Sequence, residues 1–327
     1  MADRVEQLME LAASLSSSEL TMLRQKLETL KAPAGEEAAD KVAAKRPKKV
    51  TCPKCASSAV KGHGMYRERR RYMCLSCSKT FNELTDTPLA GVHDVEKLRT
   101  FASTMAGGGV SLRKSADEMG IGLKTAFRWR HRVMEGYTVA PSRKLKGIAE
   151  ADETFFLYSE KGDKTVSERR KSRGRGGKAA TAGISTEQVP VIFGCDRQGE
   201  LIVGVAGRGR ISLKDIERVL GDRVDEKAIL CTDSHSSFKA FAKAKHLKYR
   251  PVNISKGTRV LKGNYHIQHA NSAHTRVKNW MVRFQGVSTK YLESYMQWFA
   301  LMEETKALAD REVKFTERSV TKYRRRK

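Results

Sequence analysis

The stretch GIAEADETFFLYSEKG, residues 147–162, lies between two basic segments and holds three acidic residues within four positions. Its isoleucine, phenylalanines, threonine and tyrosine favour β-structure, so we predict a strand. Side chains alternate along a strand, which puts Glu150 and Asp152 on one face and Glu153 on the other. These acids either keep a solvated edge strand from aggregating or place a carboxylate that holds a divalent metal against a nucleic-acid phosphate.

The composition of the whole chain favours the second interpretation. Its 327 residues carry 63 Lys and Arg against 37 Asp and Glu, a net charge of +26. A charge of this size and sign indicates a polyanionic partner, most simply nucleic acid. The sequence has no apolar run of about 18 residues, no lipidation signal and no signal peptide. We therefore expect a cytoplasmic protein with no membrane partner, whose cysteines bind metal or stay reduced.

Two CxxC pairs, CPKC and CLSC, stand 18 residues apart near the start of the chain. This spacing is typical of a zinc ribbon, in which one metal ion joins two short hairpins. We predict one structural Zn²⁺ held by four thiolates, those of Cys52, Cys55, Cys74 and Cys77. Arginines on the same hairpin either form a solvated face or, as we favour, contact phosphate. They are Arg67, Arg69, Arg70 and Arg71.

Apolar residues recur at helical spacing from residue 94 to residue 137, with breaks at Gly107–Gly109 and at Gly120. A helix, a glycine turn and a second helix rich in basic residues are typical of a helix-turn-helix. A plain three-helix bundle has similar glycine turns, but the net charge favours DNA binding. The basic residues of the last helix are Lys124, Arg128, Arg130 and Arg132.

A basic segment and then alternating strands and helices follow the acidic strand. Residues 159–178 hold eight Lys or Arg and three acids without hydrophobic periodicity, so we predict a flexible loop that lies along DNA. Its DNA-binding candidates are Arg169, Arg170, Lys171, Arg173 and Arg175. Next we predict a hairpin (189–205), a helix (212–220), an apolar strand that ends at Asp233, and another helix (236–243).

This order of elements matches the mixed α/β plan of ribonuclease-H-like cores, in which the first and fourth strands are neighbours. Neighbouring strands would bring Asp152 and Asp233 together although they are 81 positions apart. Two adjacent carboxylates both stay ionised only when cations lie between them. We therefore predict a two-metal site for Mg²⁺ or Mn²⁺ that acts on phosphodiesters, with Glu153 as a neighbour of the site rather than a ligand.

A later helix, 268–284, is expected to supply the third ligand, but it contains no acid. Asn271, His274 and Lys278 share one of its faces. The imidazole could bind a metal or move a proton, the amide oxygen could bind a metal, and the ammonium could hold a phosphate. Alternatively, all three residues belong to a basic, solvated helix face and have no role in the site. Two further histidines just ahead could also approach the site, His266 and His269.

Four segments together resemble bacterial insertion-sequence transposases of the branch related to the Merlin transposons. They are CPKC…CLSC followed by FNELTDTPLAG, EADETFF, CTDSHSSFKAF and YHIQHANSAHTRVKNWMVRFQGVSTKYLESYMQWF. The resemblance implies a DDE-type transposase with an RNase-H-like, retroviral-integrase-like catalytic core behind DNA-binding modules. Asp152 and Asp233 match the first two catalytic acids. At the third position His274 replaces the usual glutamate, with Asn271 before it and Lys278 after it.

The resemblance implies an enzyme that uses Mg²⁺ or Mn²⁺ to cleave DNA at terminal inverted repeats and to join the freed 3′ ends to target DNA. Its partners would be double-stranded DNA and further copies of itself, as a homodimer or higher oligomer, at the bacterial nucleoid. A catalytically inactive DNA-binding regulator and a plain metal-dependent nuclease are the alternatives. The missing third acid is the best support for the regulator.

The sequence thus predicts an α/β catalytic domain preceded by smaller modules. In chain order we predict a helical hairpin (1–31), a linker (32–50), the zinc ribbon (51–87), the helix-turn-helix domain (88–140), the RNase-H-like catalytic domain (141–306) with its basic loop (159–187), and a basic tail (307–327). The hairpin is either a structural appendage or a surface for self-association.

Overall fold

The computed structural model describes residues 50–66, 69–137, 144–162, 177, 179–252 and 260–321. The chain divides into two compact units, Met1–His63 with Tyr72–Thr80 and Gly64–Arg71 with Phe81–Lys327. Within the described ranges, no helix is long and apolar enough to span a lipid bilayer. Several predicted features lie outside these ranges: the helical hairpin, the linker up to residue 49, Arg67, and the loop residues Arg169, Arg170, Lys171, Arg173 and Arg175.

A small three-stranded sheet in the order β1-β2-β3 accompanies the two cysteine pairs. Its strands are β1 (Val60–Tyr66), β2 (Arg69–Cys74) and β3 (Thr80–Phe81). Short strands of this kind bury little apolar surface, so the cysteines have to supply most of the stability of the ribbon.

Three helices follow, as the spacing of the apolar residues predicts. They are α1 (Val95–Ala106), α2 (Leu112–Glu118) and α3 (Leu123–Tyr137). The side chain of Asp94 accepts a hydrogen bond from the backbone N–H of Lys97 and so begins α1. Ser111 begins α2 in the same way, through the N–H of Lys114. After α2, Gly120 adopts a left-handed conformation (φ 57°), which turns the chain towards α3.

A five-stranded mixed sheet in the order β6-β5-β4-β7-β8 forms the centre of the second unit. Its strands are β4 (Ile148–Leu157), β5 (Gln188–Asp196), β6 (Leu201–Val205), β7 (Ile229–Asp233) and β8 (Lys248–Val252). The central strand β4 is antiparallel to β5 and parallel to β7. The predicted adjacency of the first and fourth strands of this sheet is therefore confirmed.

Helices cover both faces of this sheet. They are α4 (Leu213–Leu220), α5 (Ser236–Ala244), α6 (Gln268–Val282) and α7 (Thr289–Thr305). On one face, Ala151 of β4 packs in a buried cluster with Ile216 of α4 and Phe238 of α5. On the other face, Phe193 of β5 belongs to a second cluster with Val277 of α6. The sheet is therefore the middle layer of three.

The edge strand β8 has no counterpart in the sequence prediction. It reads KYRPV, in which polar residues and Pro251 leave no apolar alternation to detect. It pairs in parallel with β7 through the backbone, and an edge position tolerates a proline because one side of the strand needs no partner.

The last element, α8 (Arg311–Thr321), lies in the segment that we predicted to be a basic tail. That prediction is wrong for residues 311–321, because Phe315 and Val320 are buried in the cluster that also contains α1, α3 and α7. Charged residues surround these two in the sequence REVKFTERSVT. The segment is therefore an amphipathic helix rather than a solvated tail.

Candidate active site and metal centres

Three carboxylates converge where β4 passes the end of β7. One oxygen each of Asp152, Glu153 and Asp233 lies within 4.8 Å of the others. The two strands pair up to Ala151 opposite Thr232, so Asp152 and Asp233 occupy the next positions on neighbouring parallel strands. The pairing thus brings together two acids that are 81 positions apart in the sequence, as the predicted strand order requires.

Glu153 joins this cluster although it directly follows Asp152. Alternation turns its side chain to the other face of β4, but β7 ends at Asp233 and no longer borders β4 there. Glu153 Oε2 is buried, and no group in the described part of the chain forms a hydrogen bond with it. Its carboxylate is therefore available as a third ligand. Strand alternation alone does not predict that Glu153 joins the cluster. The prediction also requires the position at which β7 ends.

The carboxylates are electrostatically strained in the absence of a cation. Burial, and then repulsion from Asp233 and Glu153, raises the pKa of Asp152 to about 8. Burial and then Asp233 raise the pKa of Glu153 to about 7. Clustered carboxylate oxygens are the ligands that Mg²⁺ and Mn²⁺ prefer. The residues therefore fit a divalent cation.

The structure also brings His274 of α6 to this cluster. Its Nδ1 lies 3.8 Å from Asp152 Oδ2, and its ring packs edge-to-face on Phe193 with centroids 4.8 Å apart. Burial, and then the charge of Lys278, lowers the pKa of His274 to about 4. The ring is therefore neutral near pH 7 and has a lone pair for a metal or a proton. Its Nε2 is buried and receives no hydrogen bond from the described residues.

The other predicted residues around α6 lie in two places. Asn271 and Lys278 are exposed on the helix, and Lys278 is close enough to His274 for its charge to act on the ring. His266 and His269 lie instead beside Glu150 Oε1, with their Nδ1 atoms at 3.3 Å and 2.8 Å. Asp152 and Glu150 therefore share one face of β4 but belong to separate clusters.

The four ribbon cysteines form a third cluster. The Sγ atoms of Cys52 and Cys77 are 3.6 Å apart, and those of Cys55 and Cys74 are 3.5 Å apart. A tetrahedral zinc ion with Zn–S bonds of about 2.3 Å requires sulfur separations of about 3.8 Å. Each CxxC turn is closed by a backbone hydrogen bond to the carbonyl of its first cysteine. The donor set and its spacing therefore fit one structural zinc ion.

The thiols of this ribbon also differ in acidity. Burial raises the pKa of Cys74, but the backbone N–H groups of Cys77 and Ser76 and the neighbouring thiols outweigh burial and lower it to about 6. A backbone hydrogen bond from Ser57 lowers the pKa of Cys55, but the neighbouring thiols raise it to about 12. The four neighbouring thiols therefore differ in how readily they lose a proton. A bound cation would stabilise all four as thiolates.

Helix α3 exposes only some of its basic side chains to solvent. Lys124 and Arg128, one turn apart in its N-terminal half, are exposed. The predicted DNA contact of Arg130 is wrong, because this side chain is only 1% exposed. Its guanidinium donates to the carbonyl of Val110 at 2.6 Å and to the hydroxyl of Ser115 at 3.0 Å. It therefore stabilises the packing of α2 on α3.

Other predicted arginines also have partners within the protein. Arg132 is half-buried and donates to a backbone carbonyl ahead of α1. Arg69 forms an ion pair with Glu83, with nitrogen and oxygen 2.9 Å apart. Arg70 is exposed and Arg71 is half-buried. Among the described residues, the candidates for phosphate contact are therefore the exposed Arg70 of β2 and the exposed Lys124 and Arg128 of α3.

Comparisons with known proteins relate most of this chain to a transposable-element protein and part of it to a transposase domain. Residues 144–304 match the family model of the ISXO2-like transposase domain. A protein of Halobacterium salinarum, described as an uncharacterized protein in transposable element ISH50, is 29% identical over 265 residues, which cover 78% of this chain and 85% of that protein.

Two solved structures of the Mos1 transposition system match only weakly. The Mos1 Strand Transfer Complex gives a TM-score of 0.23 and 12% identity over 63% of this chain and 75% of that chain. The mariner Mos1 paired end complex with Mg gives a TM-score of 0.23 and 12% identity over 93% and 98%. TM-scores this low support no conclusion about fold or function.

The matched segment contains the whole five-stranded sheet, from just before β4 into α7. It therefore includes all three carboxylates of the cluster together with His274. Residues 144–304 therefore form a domain of the ISXO2-like transposase family.

Proposed function

We propose that this protein is a DDE-type DNA transposase that cleaves at the terminal inverted repeats of its element and transfers the 3′ ends to target DNA. The observation that carries the proposal is the convergence of Asp152, Glu153 and Asp233 at the end of two adjacent parallel strands. The strand order, with β4 between an antiparallel hairpin and two parallel strands, supports an RNase-H-like core. The family of the domain supports DNA as the substrate.

Each group near the cluster has a chemical role in this proposal. Asp152, Glu153 and Asp233 would hold Mg²⁺ or Mn²⁺. Such a cation would supply positive charge for the attacking hydroxyl and for the leaving oxygen of the phosphodiester. His274 supplies a neutral nitrogen that completes the ligand set or accepts a proton. Lys278, exposed on the next turn of α6, offers a positive charge to the phosphate, and the amide oxygen of Asn271 is a further possible ligand.

DNA binding is assigned to the elements ahead of the sheet. We propose that α2 and α3 form a helix-turn-helix, in which the exposed Lys124 and Arg128 lie in the N-terminal half of the second helix. In such motifs this half reaches the base edges. The ribbon, with one Zn²⁺ on its four cysteines, adds contacts to the element end. The basic loop 159–187 adds a salt-sensitive grip on the phosphate backbone.

Assembly follows from the proposed reaction. Because two element ends have to be joined to one target, we propose that the protein acts on double-stranded DNA as a homodimer or higher oligomer. We place it in the bacterial cytoplasm at the nucleoid, where its substrate lies.

The test uses the full-length protein and a plasmid that carries the two inverted repeats flanking its gene. With Mg²⁺ or Mn²⁺, the protein should cleave at both ends and produce joined products. Asp152→Asn and Asp233→Asn should abolish both steps but retain DNA binding. Asp222→Asn is the matched control, since that side chain is fully exposed, and it should leave both steps unchanged.

The same assay separates the two alternatives. The replacement of the usual third acid by His274 favours an inactive DNA-binding regulator, which would bind the ends but neither cleave nor join with either metal. A plain nuclease would cleave without joining. Either result would overturn the proposed transposition activity.

A further inference from the structure

Glu150 is a buried carboxylate that the proposed chemistry does not use. It lies on β4 two residues before Asp152, so both side chains face α6. The residue is only 1% exposed. An ionised carboxylate is costly to bury unless charges and hydrogen-bond donors compensate it. The partners of Glu150 therefore indicate its role.

The first partners of Glu150 are backbone N–H groups at the start of α6. Oε2 accepts hydrogen bonds from the N–H of His269 at 2.8 Å and from that of Ala270 at 3.2 Å. The first N–H groups of a helix have no partner within the helix, and the N-cap residue Ile267 has no polar side chain to supply one. A carboxylate from the central strand thus caps this helix and complements its dipole.

The second set of partners comes from the β5–β6 turn. Arg197 forms an ion pair with Glu150, with Nη1 3.0 Å from Oε1. The same guanidinium donates to the carbonyl of Asn264 at 2.9 Å. One carboxylate therefore holds three parts of the domain together: the central strand, the hairpin turn and the segment that leads into α6.

This arrangement argues against a second metal site at Glu150. Ligand atoms of Glu150, His266 and His269 lie within 4.8 Å of one another. However, Arg197 Nη1 also lies 2.6 Å from His269 Nδ1. A guanidinium stays protonated in proteins, so it already supplies the positive charge that a metal ion would bring.

We propose, on the basis of the proposed function, that Glu150 is a positioning residue that fixes the start of α6 on β4 and so holds His274 against Asp152. His274 lies four residues beyond Ala270, about 6 Å along the helix axis. A shift or rotation of the first turn therefore moves the ring directly. The 3.8 Å between His274 Nδ1 and Asp152 Oδ2 is the separation that this contact maintains.

Two substitutions and a matched control test the positioning role. Glu150→Gln keeps an acceptor oxygen but loses the charge, and Glu150→Ala loses both. Glu293→Gln is the control, because Glu293 also joins a helix to a strand, from α7 to the N–H of Val205 at 2.7 Å. Its other hydrogen bond in the described part of the chain is to Gln297 of α7 rather than to α6. In the plasmid assay with Mn²⁺, Glu150→Gln should lower the cleavage rate about 10–100-fold, as is typical of residues that orient a metal ligand.

The binding constant for the element end should not change in this variant, and the control should cleave at nearly the wild-type rate. Combination with His274→Ala then shows whether Glu150 acts through that ring. If it does, Glu150→Gln costs little further activity in the His274→Ala background, because the two effects are not additive. If the double variant instead loses cleavage activity by the product of the two single fold-losses, the proposal is overturned.

Hydrogen exchange of the backbone amides gives a readout that does not need activity. In Glu150→Gln, the amides of His269 and Ala270 should exchange faster, while those of α7 should match the wild type. Unchanged exchange at the start of α6 would overturn the positioning role. A wild-type protein that cleaves with neither Mg²⁺ nor Mn²⁺ would instead overturn the proposed function, and the exchange data would still decide the role of Glu150.

Discussion

Asp152 shows how function and stability compete at a single residue. Its carboxyl group is buried beside two other acids, and these surroundings raise its pKa to about 8. In the metal-free protein, ionising this group therefore costs free energy that a bound divalent cation would offset. An uncharged side chain at this position would make the folded protein more stable. Residues that are kept for catalysis often lower the stability of a protein in this way.

The pH dependence of stability follows from this raised pKa. Between about pH 4 and pH 8, the folded metal-free protein binds the proton of Asp152 more tightly than the unfolded chain does. The contribution of this group to the free energy of unfolding should therefore fall as the pH rises through that window and level off above it. Urea unfolding in EDTA across the window measures this free energy.

The variant Asp152→Asn isolates the effect, because it removes one titrating group and keeps the side-chain size. The lowered pKa of His274 acts in the opposite direction, since it costs stability as the pH falls below about 6.5. The difference between wild type and variant removes such contributions. A difference that does not vary with pH would show that Asp152 is not strained.

His274 provides the second test at the residue scale. We expect His274→Ala to lower cleavage by about 10²–10⁴-fold, the range for loss of a group that transfers a proton at the reacting centre. Binding of the element end should stay unchanged, because the ring is buried between α6 and the sheet. His274→Glu, which restores the usual acid, should keep more activity than His274→Ala. Equal activity of His274→Ala and wild type would remove this residue from the site.

The sequence was sufficient to predict some site residues but not others. Asp152 and Asp233 could be predicted because each lies on a recognisable strand, and the predicted strand order makes these two strands neighbours. The approach of Glu153 depends on where β7 ends, and the capping of α6 by Glu150 depends on tertiary packing. The sequence predicts a DNA contact for Arg130 because this residue lies among basic residues, and nothing in the local sequence indicates that its guanidinium is buried against α2.

The turn between α1 and α2 depends on a residue without a side chain. Gly109 has a left-handed conformation (φ 67°), and a Cβ atom there would overlap the ring of Trp298 on α7. We expect Gly109→Ala to lower the free energy of unfolding by about 1–3 kcal/mol through overpacking, with added backbone strain. Denaturant unfolding measures the change. Gly122→Ala is the control, since a Cβ atom at Gly122 meets open space; equal losses in the two variants would contradict the account.

The ribbon is the element for which the four clustered cysteines predict stabilisation by a metal. We expect a chelator to remove about one zinc per chain, to unfold the ribbon and to abolish specific binding of the element end. Cys74→Ser should lose the zinc as well, whereas Cys195→Ser, at a buried cysteine of β5, should keep it. Metal analysis of the purified proteins makes the measurement. A zinc-free wild-type protein that still binds the ends would overturn this assignment.

The predictability of the elements follows their hydrophobic patterns. Strands β5, β6 and β7 are short apolar runs bounded by polar turns, so the sequence located them within one or two residues. Strand β8 lacks such a pattern. Helix α8 has only a few apolar residues, too few to predict a buried helix from the sequence. The structure shows that Phe315 and Val320 are buried in the apolar cluster.

At the scale of the whole molecule, α6 connects the five-stranded sheet with the helices that we assign to DNA binding. Its start is held by Glu150 of β4. Near its end, the indole N–H of Trp280 donates to the carbonyl of Gly108 at 2.9 Å, in the turn between α1 and α2. Helices α1 and α3 also share a buried apolar cluster with α7 and α8. This continuous packing gives a physical route by which binding of an element end could affect His274.

The most direct test of the central claim is a crystal structure of the full-length protein grown with Mn²⁺ and measured at a wavelength where manganese scatters anomalously. We predict an anomalous peak between the carboxylates of Asp152 and Asp233, within bonding distance of both, and the loss of that peak in Asp233→Asn. A peak at Glu150, His266 and His269 instead, or a structure in which Asp152 and Asp233 share no ion, would contradict the account.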